Sequence, residues 1–132
     1  MIKLSDTLSR EMVAFDPSVN PEVKIYVCGV TVYDYSHVGH ARVFIVFDVL
    51  RRLLQKEGFK VKYVQNFTDI DDKIINRAKE LGLSYKDVSE RFIKAYLEDS
   101  DALNLMRADV YPRATEHIKD MDEFIKGLVE RG

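Results

Sequence analysis

A single cysteine in 132 residues excludes an intramolecular disulfide. No apolar run reaches the length that spans a bilayer, so no membrane partner is expected. The opening residues, Met1 Ile2 Lys3 Leu4 Ser5 Asp6 Thr7, lack the long apolar core of a secretory signal. Together these absences point to a reducing, cytoplasmic setting. Charge of one sign is missing too. Twenty Lys and Arg against 22 Asp and Glu give a net charge of -2, which leaves no global basic footprint and no expectation of DNA as a partner; any nucleic-acid contact depends on a local patch. There is no CxxC pair, internal repeat or low-complexity tract. What remains is an ordinary globular composition, 46% hydrophobic and 32% charged, in a length suited to one domain.

Leu4 to Phe15 reads as a short strand or hairpin, ended by the turn formers Asp16 Pro17 Ser18 Val19 Asn20 Pro21. Val23 to Val27 alternates as a strand does, and Gly29 breaks the run where backbone must turn or approach a ligand closely. A short loop then leads to His37 Val38 Gly39 His40, which opens an apolar helix running from Ala41 to Lys56. Its residues Val43, Phe44, Val46, Phe47, Leu50, Leu53 and Leu54 cover more than one stripe, so much of its circumference is expected to be buried. Gly58 sits where a C-cap glycine belongs. Lys60 to Phe67 alternates again as a second strand, which completes a right-handed crossover with parallel strands. Cys28 and Asn66 to Thr68 then share the carboxyl edge of the sheet, where open α/β sheets bind ligands.

Thr68 has the spacing of a helix N-cap with Asp71 three residues on, and Ile70, Ile74, Ile75, Ala78 and Leu81 supply the face of a helix that Gly82 ends. Ser84 to Asp87 repeats the pattern and opens a helix through Val88, Phe92, Ile93, Tyr96 and Leu97. Asn104 to Pro112 is irregular. A last helix follows from about Thr115 with Ile118, Met121, Phe124, Ile125 and Leu128, so the second half is helical with no clear strand.

Three groups of residues bear on chemistry. Cys28, at a strand end, is either a small buried hydrophobe or a zinc ligand, and zinc requires partners that this chain does not supply as further cysteines. His37 and His40 lie three apart with Gly39 between them. At a helix N-terminus, two imidazoles can donate to polyphosphate oxygens that the helix dipole already favours; the plain alternative is that they only satisfy the helix start. Asp69, Asp71 and Asp72 could hold magnesium, but acids in a first helical turn are expected from the dipole alone, and that reading is preferred. Tyr26, Tyr33 and Tyr35 flank the same corner and are assigned to packing, without chemistry.

Tyr26 to Asp34, the His37 to His40 tetrad, and Asn66 Phe67 Thr68 Asp69 Ile70 Asp71 Asp72 Lys73 together resemble the amino-terminal half of the catalytic region of the cysteinyl-tRNA synthetase family, class I aminoacyl-tRNA synthetases. Asp101 to Asn104 and Pro112 to Ile118 are similar too, so the likeness covers nearly the whole chain. It implies an α/β fold: a Rossmann-like, HUP-type parallel-sheet half-domain with a helical carboxyl-terminal segment. Residues 1–132 would form the amino-terminal part of a nucleotide-binding catalytic domain, with about 1–82 as the strand-helix-strand-helix core and about 83–132 as the helical start of an inserted connective segment.

The resemblance further implies cysteine activation by ATP with magnesium, giving cysteinyl-adenylate and pyrophosphate, then transfer to tRNA(Cys). His37, Gly39 and His40 would contact ATP, with His37 and His40 catalytic. Gly29, Thr31 and Thr68 would line the pocket for L-cysteine, Thr68 near its amino group. Cys28 would be the first of four protein ligands to a zinc ion that takes the substrate thiolate and leaves serine a poor rival. The family's Lys-Met-Ser-Lys-Ser loop, the other zinc ligands, the second half of the nucleotide-binding fold and the anticodon-binding helices are absent. The expectation is therefore an amino-terminal fragment or a shortened relative, inactive alone and holding zinc weakly or not at all. Two alternatives are the cysteine–glucosaminyl-inositol ligase of mycothiol biosynthesis, which shares the cysteine-activating half, and a non-catalytic nucleotide-binding or interaction domain.

Overall fold

The computed structural model describes residues 2–15 and 22–132; the turn formers Asp16 to Pro21 lie outside them. Two strands, β1 (Ile2–Ser5) and β2 (Met12–Phe15), pair antiparallel with Ile2 opposite Phe15 and Ser5 opposite Met12. The expected hairpin is present. Its turn is built by Asp6, whose carboxylate accepts the N–H groups of Leu8 and Ser9.

β3 (Glu22–Val27) and β4 (Lys60–Gln65) run parallel in continuous register, from Glu22 opposite Lys60 to Val27 opposite Gln65. Val23 and Val27 are buried while Lys24 and Tyr26 on the other face are exposed, as period-two alternation requires. Between the strands runs α1 (Val38–Lys56), which buries Phe44 and Leu54. The expectation of burial around much of α1 is not met: Val43, Ile45, Val46, Val49 and Leu53 are all exposed, Val46 and Val49 by 59% each. Among the described residues only one stripe of the helix is covered, so the second stripe records apolar character and not burial.

α2 (Asp72–Leu81) starts three residues later than Thr68 suggested. The Thr68 N–H donates to Val30 O and its carbonyl accepts from the Val32 N–H, so this residue is held in an extension of the sheet and cannot cap a helix. Asp71 is the N-cap, accepting from the Lys73 N–H at 2.8 Å. Of the expected α2 face, Ile74 and Ala78 are buried, whereas Ile70, Ile75 and Leu81 are exposed. Gly82 ends the helix with φ 64°, and Gly58 follows α1 with φ 92°, both in the left-handed region that favours glycine.

α3 (Tyr85–Ala102) opens at Ser84, whose Oγ accepts the Asp87 N–H at 3.1 Å and donates to the Asp87 carboxylate at 2.6 Å. Val88, Phe92, Ile93 and Tyr96 are buried on it. The Tyr96 ring meets Phe44 of α1 and Phe67 beyond β4 edge to face, with both pairs of centroids 5.4 Å apart. Helices and sheet thus share one core.

The segment expected to be irregular does more than connect. Residues 109–113 run alongside β4 in parallel, with bridges from Val64 to Val110 and from Phe67 to Arg113. Gln65 N–H donates to Val110 O, and Phe67 N–H donates to Pro112 O. The second half of the chain therefore adds a third extended segment to the sheet, which corrects the reading of that half as purely helical. A 3-10 turn (Ala114–Glu116) then leads into α4 (Ile118–Val129), whose Ile118, Met121, Phe124, Ile125 and Leu128 are all exposed. No helix among the described residues is long and apolar enough to cross a membrane.

Candidate functional site

The site is assembled where β3 and β4 end. Beyond Val27 the chain continues past Cys28 and Gly29 to Val30, Thr31 and Val32, and Thr31 bridges to Thr68. Gly29 and Asn66 are in tighter contact still. The Gly29 N–H donates to Asn66 Oδ1 at 2.7 Å, and a Cβ placed on Gly29 would lie 1.6 Å from the Asn66 carbonyl oxygen. The expectation of a close backbone approach at Gly29 holds, but the approaching group is the neighbouring strand. Gly29, Thr31 and Thr68, the three residues expected to line an amino-acid pocket, are thereby brought to one rim. All three are partly buried. Val30 and Val32 beneath them are buried in the core, which anchors the rim.

Asn66 and Asp69 are site residues to which sequence reasoning gave no such roles. Asp69 was read as an acid of a first helical turn; instead it is buried before the helix begins. Its carboxylate accepts the Thr115 N–H at 2.9 Å and the Thr115 hydroxyl at 2.5 Å. The clamp ties the end of β4 to the 3-10 turn across 46 residues of sequence. Beside it, Arg113 pairs with Glu90, and this guanidinium first, through its hydrogen bond, holds the Glu90 carboxyl below its ordinary value. Asp71 and Asp72 do sit at the start of α2, as cap and first-turn residue.

From Val32 a loop of exposed residues leads to α1. Tyr35 meets Phe92 edge to face at 5.2 Å, and the Lys73 ammonium lies over the Tyr33 ring at 5.3 Å; both make contacts consistent with packing, whereas Tyr26 is 63% exposed. His37 is the N-cap of α1, and the two histidines form a reciprocal capping box. His37 Nδ1 accepts the Gly39 N–H at 3.0 Å, and His40 Nδ1 accepts the His37 N–H at 3.2 Å. The rings stack with centroids 3.9 Å apart. Burial first, then the neighbouring His37, holds the His40 imidazole below its ordinary value. A cleft of about 300 Å³ opens beside the rings, between the start of α1 and the end of α3, with Ser36, His37, His40, Phe44 and Asp99 among its walls.

Cys28 is exposed, so it is not the small core hydrophobe that one reading allowed. Nor do its surroundings fit a closed zinc site. Among the described residues no three His, Cys, Asp or Glu side chains are grouped as a metal site, and one thiolate cannot supply tetrahedral coordination.

The corner can therefore do two things chemically. The start of α1 presents imidazoles and the positive end of a helix to an anion, and the strand ends bring two threonines and close-packed backbone to one rim. Comparison with known proteins bears on the family and the fold. Residues 14–132 match the family described as the tRNA synthetases class I (C) catalytic domain. The chain is 55% identical over 132 residues to a cysteine–tRNA ligase of Pyrococcus furiosus, covering 100% of this chain and 28% of the relative. It is 51% identical over 131 residues to a cysteine–tRNA ligase of Gloeothece citriformis, covering 99% of this chain and 27% of that one. The chain thus spans a little over a quarter of the length of these relatives. Among solved structures, a Mycobacterium tuberculosis methionyl-tRNA synthetase in complex with methionyl-adenylate superposes with a TM-score of 0.61 at 23% identity, over 70% of this chain and 18% of that one. At that identity the likeness speaks for the fold.

Proposed function

Since the chain belongs to the class I (C) tRNA synthetase catalytic-domain family, we propose that it forms the amino-terminal, nucleotide-engaging part of a cysteine–tRNA ligase, the activity named for its relatives. The reaction is in-line attack of the cysteine carboxylate on the α-phosphate of magnesium-bound ATP, which expels pyrophosphate, followed by acyl transfer to the terminal adenosine of tRNA(Cys). Such chemistry rests on positioning and on stabilising charge that develops on phosphoryl oxygens.

The observation that carries this reading is the His37–His40 capping box at the carboxyl edge of a parallel strand pair. In this proposal His37 and His40 donate to the phosphates, and Gly39 lets the first turn of α1 close around them. Gly29, Thr31 and Thr68 seat the amino acid, Thr68 near its amino group. Cys28 is one zinc ligand of the longer protein; the described residues do not close a site around it. When bound, zinc would take the substrate thiolate. Residues from about 83 onward lead into a connective segment, and the cytoplasm is the compartment that fits.

A chimaera tests the proposal. These 132 residues replace the matching segment of the Pyrococcus furiosus relative, and cysteine-dependent ATP–pyrophosphate exchange is measured. Exchange is expected, and His40→Ala is expected to slow it by about 100-fold, the usual scale for losing one donor to a developing oxyanion. A folded chimaera without exchange, or one in which His37→Ala and His40→Ala together change nothing, overturns the reading. The 132-residue chain alone is expected to show no exchange.

A further inference from the structure

The three histidines of the chain divide by what each Nδ1 meets. A backbone N–H can only donate, so an imidazole nitrogen that receives it carries a lone pair and no proton. His37 Nδ1 receives the Gly39 N–H at 3.0 Å, and His40 Nδ1 receives the His37 N–H at 3.2 Å. A neutral ring with a bare Nδ1 holds its proton on Nε2, whereas an imidazolium, protonated on both nitrogens, fills neither role. His117 is the reverse case: its Nδ1 lies 2.8 Å from the Asp120 carboxylate, which only accepts, so there Nδ1 bears the proton.

We infer that the start of α1 fixes the tautomer of both tetrad histidines, so that His37 and His40 stand as paired, neutral Nε2–H donors, and that Gly39 is the positioning residue that makes this arrangement possible. A Cβ on Gly39 would lie 2.8 Å from His37 Cε1 and 2.9 Å from its Nδ1. The absent methyl is the space that the His37 ring occupies when it folds back onto its own helix. Any larger residue drives that ring off the Gly39 N–H and frees its tautomer. The stacking of the rings at 3.9 Å suits two uncharged imidazoles and not two cations. Asp99 is the one carboxylate lining the adjoining cleft, and the partner of each Nδ1 is a backbone N–H and not that carboxylate.

The consequence deepens the nucleotide reading and rests on it: the tetrad serves a phosphate with hydrogen bonds from neutral rings, and it delivers no proton. Each donor is aimed by the same backbone groups that begin the helix. The first turn of α1 and the polarity of the two donors are therefore one device.

Long-range 1H–15N spectra of the 132-residue chain, with 15N-labelled imidazoles, test this at about one pH unit above the ordinary imidazole pKa of about 6.5. His37 and His40 are expected to show an unprotonated Nδ1 and a protonated Nε2, and His117 a protonated Nδ1. In Gly39→Ala, His37 is expected to lose its pattern while His40 and His117 keep theirs. His37→Asn supplies a second variant that retains a capping oxygen; His40 is expected to keep its Nε2–H, because its lock is the backbone N–H of residue 37. A protonated or averaged Nδ1 at His37 or His40 in the unsubstituted chain overturns the inference, as does an intact His37 pattern in Gly39→Ala. Addition of inorganic pyrophosphate separates this inference from the nucleotide reading. Movement of both Nε2 resonances with Nδ1 still bare supports both; no movement at all in the chimaera described above removes the nucleotide reading and leaves the tautomers assigned.

Discussion

A methyl group on Gly29 would overlap the Asn66 carbonyl oxygen at 1.6 Å, and that oxygen is backbone, which cannot rotate aside. Gly29→Ala is therefore expected to cost about 3 kcal/mol, at the upper end of overpacking penalties, seen as a lower urea midpoint. Gly127 in α4 is the matched control. Nothing lies within 4 Å of its missing Cβ, so Gly127→Ala is expected to raise stability by up to about 1 kcal/mol through helix propensity. The His40 imidazole gives a pH dependence of definite sign. Burial and His37 lower its pKa from 6.5, so the folded state binds that proton less readily than the unfolded state. Stability is full above 6.5, where both states are neutral, and falls as the pH drops through that value toward the folded pKa. Protonation also removes the acceptor for the His37 N–H. Urea midpoints taken across this range are expected to decline on the acid side, and His40→Asn is expected to flatten the decline.

Among the elements, the segment beside β4 depends on Asp109. One carboxylate oxygen takes the Arg51 guanidinium at 3.0 Å and the other takes the Tyr63 N–H at 2.6 Å, while Arg51 also reaches Arg107 O at 2.7 Å. The Arg51 side chain is only 6% exposed. Asp109→Ala strands that buried cation and a strand N–H, and is expected to cost about 3 kcal/mol by urea denaturation; Arg51→Met in the same chain is expected to recover part of the loss. The sequence did not disclose this segment. Met106 to Val110 does alternate apolar with charged residues, but the run is short, breaks at Tyr111 and meets a proline, which argues against a strand. Yet the bond at Pro112 requires only its carbonyl, which accepts the Phe67 N–H, so the missing donor costs nothing there. Thr68 misled for a related reason. The run from Thr68 to Asp71 holds three residues of capping type; Val30 and Val32 hold Thr68 in the sheet and Thr115 occupies the Asp69 carboxylate, all far away in sequence, which leaves Asp71. The hairpin and the His-Val-Gly-His helix start were legible because each is specified by residues close to one another in the chain, and the crossover because each of its elements carries its own local pattern and the order strand, helix, strand dictates the parallel pairing.

At the scale of the whole molecule, apolar character and burial separate within a single helix on α1. Phe44 is 6% exposed and seats against Tyr96, while Val46 and Val49, two and five residues on, are each 59% exposed. A hydrophobic pattern shows which side chains favour removal from water, and only packing shows which have been removed; the sequence therefore overstated the core of this helix. The exposed stripes on α1 and α4 belong to a chain that spans 28% of its relative in Pyrococcus furiosus. Val46→Gln with Val49→Gln tests the distinction without changing net charge. Both positions are surface sites in a helix, and glutamine is a better helix former than valine, so the unfolding free energy is expected to stay within about 0.5 kcal/mol of the parent or to rise slightly. Binding of an apolar fluorescent dye is expected to fall, since part of the exposed apolar stripe is gone. Phe44→Ala supplies the contrast: it empties a packed site between α1 and α3 and is expected to cost about 3–5 kcal/mol. Equal losses in the two variants would mean that Val46 and Val49 are packed in solution, and that the core extends around α1 after all.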